Sequence, residues 1–275
     1  MRKILIETGG PEHSFFWGLA NAFQSMNYQV GMLDATRFSV FDAFNRFQPD
    51  VFICRDYRIT RGVEKCLLAW SNKDKVRPCK FVLFEEKPTE GYWKIITRDR
   101  IDLSCSVYSG HGLQILPAVD TVRFNRGKVD DAYVCDYAFV GDFQEWMRPY
   151  FDILVKHNIN FRIYSSTPCD VPNNVGYLND HEIPIATASA KSCIDFSKNI
   201  SEEFLRIIYC GVSNNSLFFK GDKKEELFPG LKLFDSPESF ELQLTASPTN
   251  GYNSSKVLTR HTYNTRVLAI LSKIN

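Results

Sequence analysis

The chain has 275 residues, a formal net charge of +1, 44% hydrophobic and 24% charged residues. That length suits two domains of ordinary size, and the near-neutral balance excludes a global basic field, so a polyanion would need a local basic face. No apolar run approaches the about 18–20 residues that span a bilayer, and Met1-Arg2-Lys3-Ile4-Leu5-Ile6-Glu7 is charged too early for a secretory signal. A cytoplasmic protein with no membrane partner is expected. The eight cysteines are scattered, without a C-x-x-C pair, and stand in apolar contexts such as Phe52-Ile53-Cys54; they are expected to be reduced, mostly buried thiols. The five histidines are also dispersed, so a metal site is not expected. The 22 phenylalanines imply well-filled cores.

In chain order, Lys3–Thr8 reads as a buried strand followed by a Gly9-Gly10-Pro11 turn. Ser14–Met26 has helical spacing, with Phe15, Leu19, Ala22, Phe23 and Met26 on one face. Tyr28–Leu33 is a strand, Val40–Phe47 a short helix, Val51–Cys54 a strand, Gly62–Trp70 a helix and Lys80–Phe84 a strand. This alternation predicts an α/β domain with a parallel sheet. Leu103–Val107 and Leu113–Leu116 read as further short strands, and a polar loop follows from Pro117 to Asp131. The first domain is therefore drawn as 1–128.

A second alternation begins at Tyr133–Val140. It continues with helix Trp146–Lys156, strands Asn160–Tyr164 and Cys193–Phe196, and helix Glu202–Cys210. Strands Leu217–Phe219 and Leu231–Phe234 and helix Pro237–Leu244 complete it. The second domain is drawn as 129–258, with a final helix in 259–275. Two Rossmann-like domains facing a cleft are the expected architecture, with ligands at the carboxyl ends of the strands.

Several places could carry chemistry. Gly9 and Gly10 precede the first helix, where backbone N–H groups attract anions or hydroxyls; an ordinary tight turn accounts for them equally. His13 is a candidate base there. Glu85 and Glu86 directly follow the apolar strand Phe81-Val82-Leu83-Phe84. Adjacent carboxylates at a strand end can raise one another's pKa and suit a general base, although a solvated acidic turn would look the same. Gly141-Asp142, closing a strand, with Arg148 in the next helix, can hold a pyrophosphate through backbone N–H groups and a charged fork; a capping Asp and a surface Arg is the plainer reading. Ile183-Pro184 alone is a turn signal. Ser201 is a plausible helix cap, and Glu203 and Arg206, three apart, share one helix face. They suit a ribose diol and a phosphate, or a simple intrahelical ion pair. Arg55, Arg58 and Arg61 are candidate phosphate contacts after the third strand, or a solvated basic turn.

Together these segments resemble GT-B glycosyltransferases. Leu116-Pro117-Ala118-Val119-Asp120 with Phe124, Tyr137-Ala138-Phe139-Val140-Gly141 with Arg148, Leu227-Phe228-Pro229-Gly230, and His261-Thr262-Tyr263 with Arg266 resemble segments of the CgeB-like, group-1-like family. Leu83-Phe84-Glu85-Glu86 and Ile183-Pro184 are similar to segments of phage DNA β-glucosyltransferases. The resemblance implies a C-terminal helix crossing back to the first domain and inverting transfer of a sugar from a nucleotide-sugar, a UDP-sugar, with no cofactor or metal. It also implies Glu86 as base and donor contacts at Gly141, Asp142, Arg148, Ile183, Glu203 and Arg206. Gly9, Gly10, Arg55, Arg58 and Arg61 would meet the acceptor. The order Glu203–Arg206 is the reverse of the R-x-x-E of the phage enzymes, which leaves an altered donor or a non-catalytic GT-B-fold binding protein open. The acceptor implied is a hydroxymethylated pyrimidine in double-stranded DNA, the alternative being a saccharide or protein.

Overall fold

A computed structural model of the chain describes residues 2–8, 14–55, 79–85, 101–106, 112–121, 124, 128–210, 216–221, 223–246 and 260–274. The chain divides into two compact units, one comprising 1–120 and 262–275 and the other 121–261.

In the first unit, strands β1 (Lys3–Glu7), β2 (Gln29–Leu33), β3 (Val51–Arg55), β4 (Lys80–Glu85), β5 (Leu103–Ser106) and β6 (Leu113–Gln114) form a sheet of order β2-β1-β3-β4-β5-β6. Every pairing in it is parallel. The central strands are continuous apolar runs because both faces are covered. Ile4, Ile6, Val51, Ile53, Val82 and Phe84 belong to one core, while Leu5, Phe52, Cys54, Phe81 and Leu83 belong to the other. Helix α1 (Ser14–Ser25) lies on the first face, and α2 (Val40–Phe47) buries Val40 and Phe44 on the second. Ser39 caps α2 by accepting from the N–H of Asp42 at 3.3 Å.

The second unit has strands β7 (Cys135–Val140), β8 (Phe161–Tyr164), β9 (Ala190–Asp195), β10 (Leu217–Phe219) and β11 (Lys232–Phe234), in the order β11-β10-β9-β7-β8, again all parallel. Its helices are α3 (Arg148–Lys156), α4 (Glu182–Ser189), α5 (Glu202–Cys210), α6 (Lys224–Leu227) and α7 (Pro237–Thr245). Aromatic rings fill one side of the sheet, with Tyr150, Phe151, Phe196, Phe234 and Phe240 in mutual contact.

The final helix, α8 (Tyr263–Ile274), belongs to the first unit. Tyr263, Val267, Ile270, Leu271 and Ile274 enter the core beneath α1. Thr262 forms a parallel bridge with Val119, and the N–H of Tyr263 donates to the Val119 carbonyl at 3.2 Å. Half-buried Arg266 donates from Nε to Leu116 O at 2.9 Å and from Nη2 to Pro117 O at 3.1 Å. Asn21 of α1 donates to Asp120 at 2.7 Å. The two distant segments that flank the second unit are thus stitched to each other.

Several expectations are corrected. The first boundary falls at Asp120/Thr121, not near 128, because Val119 and Asp120 are held by the first unit. The segment Glu182–Ser189, expected as a loop around Ile183-Pro184, is a helix. Six of its residues are buried, so it shows no amphipathic period, and Pro184 sits in the first turn, where a missing N–H costs nothing. Strand β9 begins at Ala190 rather than Cys193. The expected helix Gly62–Trp70 lies outside the described residues. Among the cysteines, Cys54, Cys79, Cys105, Cys135 and Cys193 are buried free thiols and Cys169 is half-buried; burial pushes Cys105 up to about 12 and Cys135 up to about 11. Among the described residues no helix is long and apolar enough to cross a membrane.

Gly18 of α1 faces the Tyr263 ring so closely that an added Cβ would stand 2.1 Å from Cε2. In an open helix, alanine would be favoured over glycine by about 1 kcal/mol. Here Gly18→Ala is expected to reverse that sign and destabilise the first unit by about 1–3 kcal/mol, read as a lower urea midpoint.

Candidate functional site

The site is built at the carboxyl end of the second unit's sheet. β7 ends at Val140 and turns through Gly141, whose φ of 156° glycine accepts. The N–H of Gly141 donates to Tyr164 O at 3.0 Å, and the N–H of Phe143 to Ser165 Oγ at 2.9 Å. These bonds hold the ends of β7 and β8 together. Ser166 then donates from its hydroxyl to the Asp142 carboxylate, bracing it.

Helix α4 supplies a second wall. Asn179 accepts from the N–H groups of His181 at 2.9 Å and Glu182 at 3.2 Å, while Glu182 accepts from the N–H of Asn179 at 2.9 Å. This reciprocal capping fixes the helix start and the place of Ile183. Tyr133 adds a hydrogen bond to Glu182 at 3.1 Å. Helix α5 supplies the third wall. Ser201 accepts from the N–H of Phe204 at 3.0 Å, and Phe204 and Leu205 are fully buried, which turns Arg206 to its position.

A cavity of about 320 Å³ lies between these walls, lined by Gly141, Asp142, Ser166, Tyr177, Ile183 and Arg206, with Val140, Tyr164, Leu178 and Asp180 completing it. It is of the size that holds small ligands. Arg206 is only 9% exposed, and its guanidinium lies over the Phe124 ring at 4.9 Å. Among the described residues it meets no carboxylate and no hydrogen-bond acceptor. A nearly buried cation facing a cavity in this way is set to receive an anion. Tyr177 is 70% exposed and offers its ring at the rim. Burial raises the Tyr164 phenol pKa, and the neighbouring Arg162 pulls against that rise.

Of the residues expected to hold a donor, the structure brings together Gly141, Asp142, Ile183 and Arg206. Arg148 does not join them: Glu145 and Asp170 occupy its guanidinium, Glu145 Oε2 at 3.2 Å, and these carboxylates raise its pKa further. The backbone of Glu203 is in α5, but its side chain is outside the described residues. Arg55, expected to contact the acceptor, is 1% exposed at the end of β3. Its N–H donates to Glu7 at 3.1 Å and its Nη1 to Thr8 O at 2.9 Å, and it packs over Phe16, so it serves the interior. Glu85 ends β4, its side chain outside the description, and Gly9, Gly10, His13, Arg58, Arg61 and Glu86 lie outside the described residues. Ser166, Tyr177 and Asp180 were not anticipated. The run Ser165-Ser166-Thr167 directly after β8 was the available signal for the first; the irregular loop carrying the other two has no period to read.

Two parallel-sheet Rossmann-like units of six and five strands define a GT-B fold. Comparison with solved structures places glycosyltransferases beside it. An α-glucosyltransferase in complex with UDP and a 13-mer DNA containing a HMU base is similar over 99% of this chain and 98% of its own, with a TM-score of 0.59 and 12% identity. MurG of Acinetobacter baumannii matches over 100% and 99%, with a TM-score of 0.50 and 10% identity. The calicheamicin glycosyltransferase CalG4 matches over 99% and 98%, with a TM-score of 0.50 and 11% identity. At these identities the likeness is one of fold. No family model matches the sequence, and no curated protein matches it by sequence. Among the described residues no group of three or more His, Cys, Asp or Glu is arranged to hold a metal.

Arg266 and Arg206 should respond oppositely to substitution. Arg266→Met breaks two part-buried hydrogen bonds to backbone carbonyls and should lower stability by about 1–3 kcal/mol. Among the described residues, Arg206→Met forfeits the contact with Phe124, worth about 0.5–2 kcal/mol, and removes a nearly buried charge that meets no carboxylate among them. Its melting temperature should stay level or rise while that of Arg266→Met falls.

Proposed function

We propose that the protein is a glycosyltransferase that moves a sugar from a UDP-sugar to a hydroxyl acceptor. The observation that carries this reading is Arg206, a nearly buried guanidinium without a carboxylate among the described residues, in a cavity with Gly141, Asp142 and Ile183. A diphosphate would supply the missing counter-charge, and the braced Asp142 and Ser166 would accept and donate to donor hydroxyls. The GT-B fold supports the reading, since its solved neighbours include glycosyltransferases. The reversed order of Glu203 and Arg206 is compatible with Arg206 as the phosphate ligand, because the cavity contains Arg206 whichever residue precedes it.

The mechanism proposed is an inverting single displacement. Glu86, following the strand that ends at Glu85, would take the proton of the acceptor hydroxyl. The acceptor oxygen would bond to the anomeric carbon as the bond from that carbon to the UDP oxygen breaks. Arg206 would stabilise the charge that builds on the departing diphosphate. The acceptor proposed is a hydroxymethylated pyrimidine in double-stranded DNA. It is supported by the resemblance of Leu83–Glu86 and Ile183-Pro184 to the phage enzymes and by the fold of the DNA-bound α-glucosyltransferase. Kinship with the CgeB-like group is proposed on the segments at 116–120, 137–141, 227–230 and 261–266.

UDP at a hundred times its Kd should stabilise the second unit by about 2.7 kcal/mol in thermal unfolding. Arg206→Met should weaken UDP at least about tenfold. No stabilisation by UDP or any other nucleotide would sink the reading. With a UDP-sugar, product is expected on hydroxymethylcytosine DNA and not on unmodified DNA; product only on glycans would remove DNA as acceptor. Glu86→Gln should abolish transfer while UDP binding persists, and full activity in that variant would move the base to another residue, His13 first.

A further inference from the structure

One charged group stands apart from the cavity and is buried more deeply than any of its lining. Lys224, at the start of α6, is fully buried. Its ammonium donates to the carbonyl of Ser197, after β9, and to that of Phe219, at the end of β10, at 2.9 Å. It lies 3.9 Å from Asp195 and 4.8 Å over the Phe204 ring. Burial pushes its pKa down, and Asp195 pulls it back up. Desolvating an ammonium is expensive unless strong acceptors surround it. Here one carbonyl acceptor, that of Ser197, belongs to the loop between β9 and α5, and the other, that of Phe219, closes β10.

That loop is organised around the same point. Asp195 accepts from the N–H of Ser197 at 2.6 Å and from its hydroxyl. Ser197 Oγ lies 3.4 Å from Oγ of Ser201, the residue that caps α5. Phe204, whose ring faces Lys224, is two residues before Arg206. A further lock comes from Gly221, where a Cβ would stand 1.5 Å from the Lys198 carbonyl oxygen, so Gly221 lies flush against the β9–α5 loop. A continuous set of polar contacts runs from Lys224 to the start of the helix that bears Arg206.

We propose that Lys224 is a positioning residue for the site: it clamps the β9–α5 loop and thereby sets the guanidinium of Arg206 toward the cavity, which rests on the reading of Arg206 as the group that holds a diphosphate. Lys224 touches no ligand itself. Its effect is specific to the phosphate part of a nucleotide, since Asp142, Ser166 and Ile183 are positioned by β7, β8 and α4 instead.

The test is a double-substitution cycle with Lys224→Met and Arg206→Met, measuring UDP and uridine affinities by calorimetry. Each single variant should weaken UDP about tenfold or more, with uridine unchanged, and the double variant should bind UDP no more weakly than Arg206→Met alone. The proposal is overturned if Lys224→Met leaves the UDP-to-uridine ratio unchanged, or if it weakens UDP equally in both backgrounds. Arg206→Met without effect on UDP would instead remove the underlying reading of the cavity. Should Lys224→Met fail to fold, Gly221→Ala, which displaces the same loop with the lysine retained, takes its place in the cycle. Additive losses in that cycle count against the proposal, and coupled losses support it.

Discussion

The first unit depends on one seam: the pairing of residues 116–120 with 262–266. Val119 bridges Thr262, Arg266 donates to two carbonyls of the Leu116-Pro117 segment, and Tyr263 inserts beside Gly18. Without it the apolar face of α8 would lose the core it covers, and the core would lose Val267, Ile270, Leu271 and Ile274. Three of the short segments that resemble the CgeB-like group, at 116–120, 227–230 and 261–266, make contacts of this kind. Phe228 of Leu227–Gly230 stacks with His261 at 4.6 Å within the second unit, while Arg266 grips Leu116 and Pro117 within the first. Their residues are engaged in packing and in hydrogen bonds to the backbone.

Cations inside the fold divide by what receives them. Arg55, Lys224 and Arg266 each donate to backbone carbonyls, and buried Glu7 and Asp195 stand beside Arg55 and Lys224. Arg148, at the surface, is taken by two acidic side chains. Arg206 follows neither pattern. Its one described neighbour is an aromatic face, which is weaker compensation than an anion supplies. It stands in the cavity where the turn after β7, α4 and α5 converge.

Much of the architecture was legible because parallel strands buried on both faces are written as uninterrupted apolar runs, as in Phe81-Val82-Leu83-Phe84. Helix α4 was not, since a helix buried nearly all round loses the alternation that marks an amphipathic one, and its proline reads as a break. The boundary was misplaced because the partner that holds Val119 comes from the far end of the chain. That Gly141, Asp142 and Arg206 line one cavity follows from their places at a strand end and in a helix, which the sequence shows. Arg148 misled because Asp170, which engages it, lies in an irregular loop that sequence spacing cannot bring near. Arg55 misled because a charged residue at a strand end reads as exposed, whereas Thr8 and Glu7 draw it inward.

The bridge between Val119 and Thr262 also has a topological consequence. The chain leaves the first unit and re-enters it at paired residues, so the second unit is, in effect, an insertion whose two ends are neighbours. An inserted module of this type can be exchanged, lengthened or shortened without disturbing the host sheet, because its exit and entry points are already joined by the host's own hydrogen bonds. Change within the second unit is thereby separable from the stability of the first.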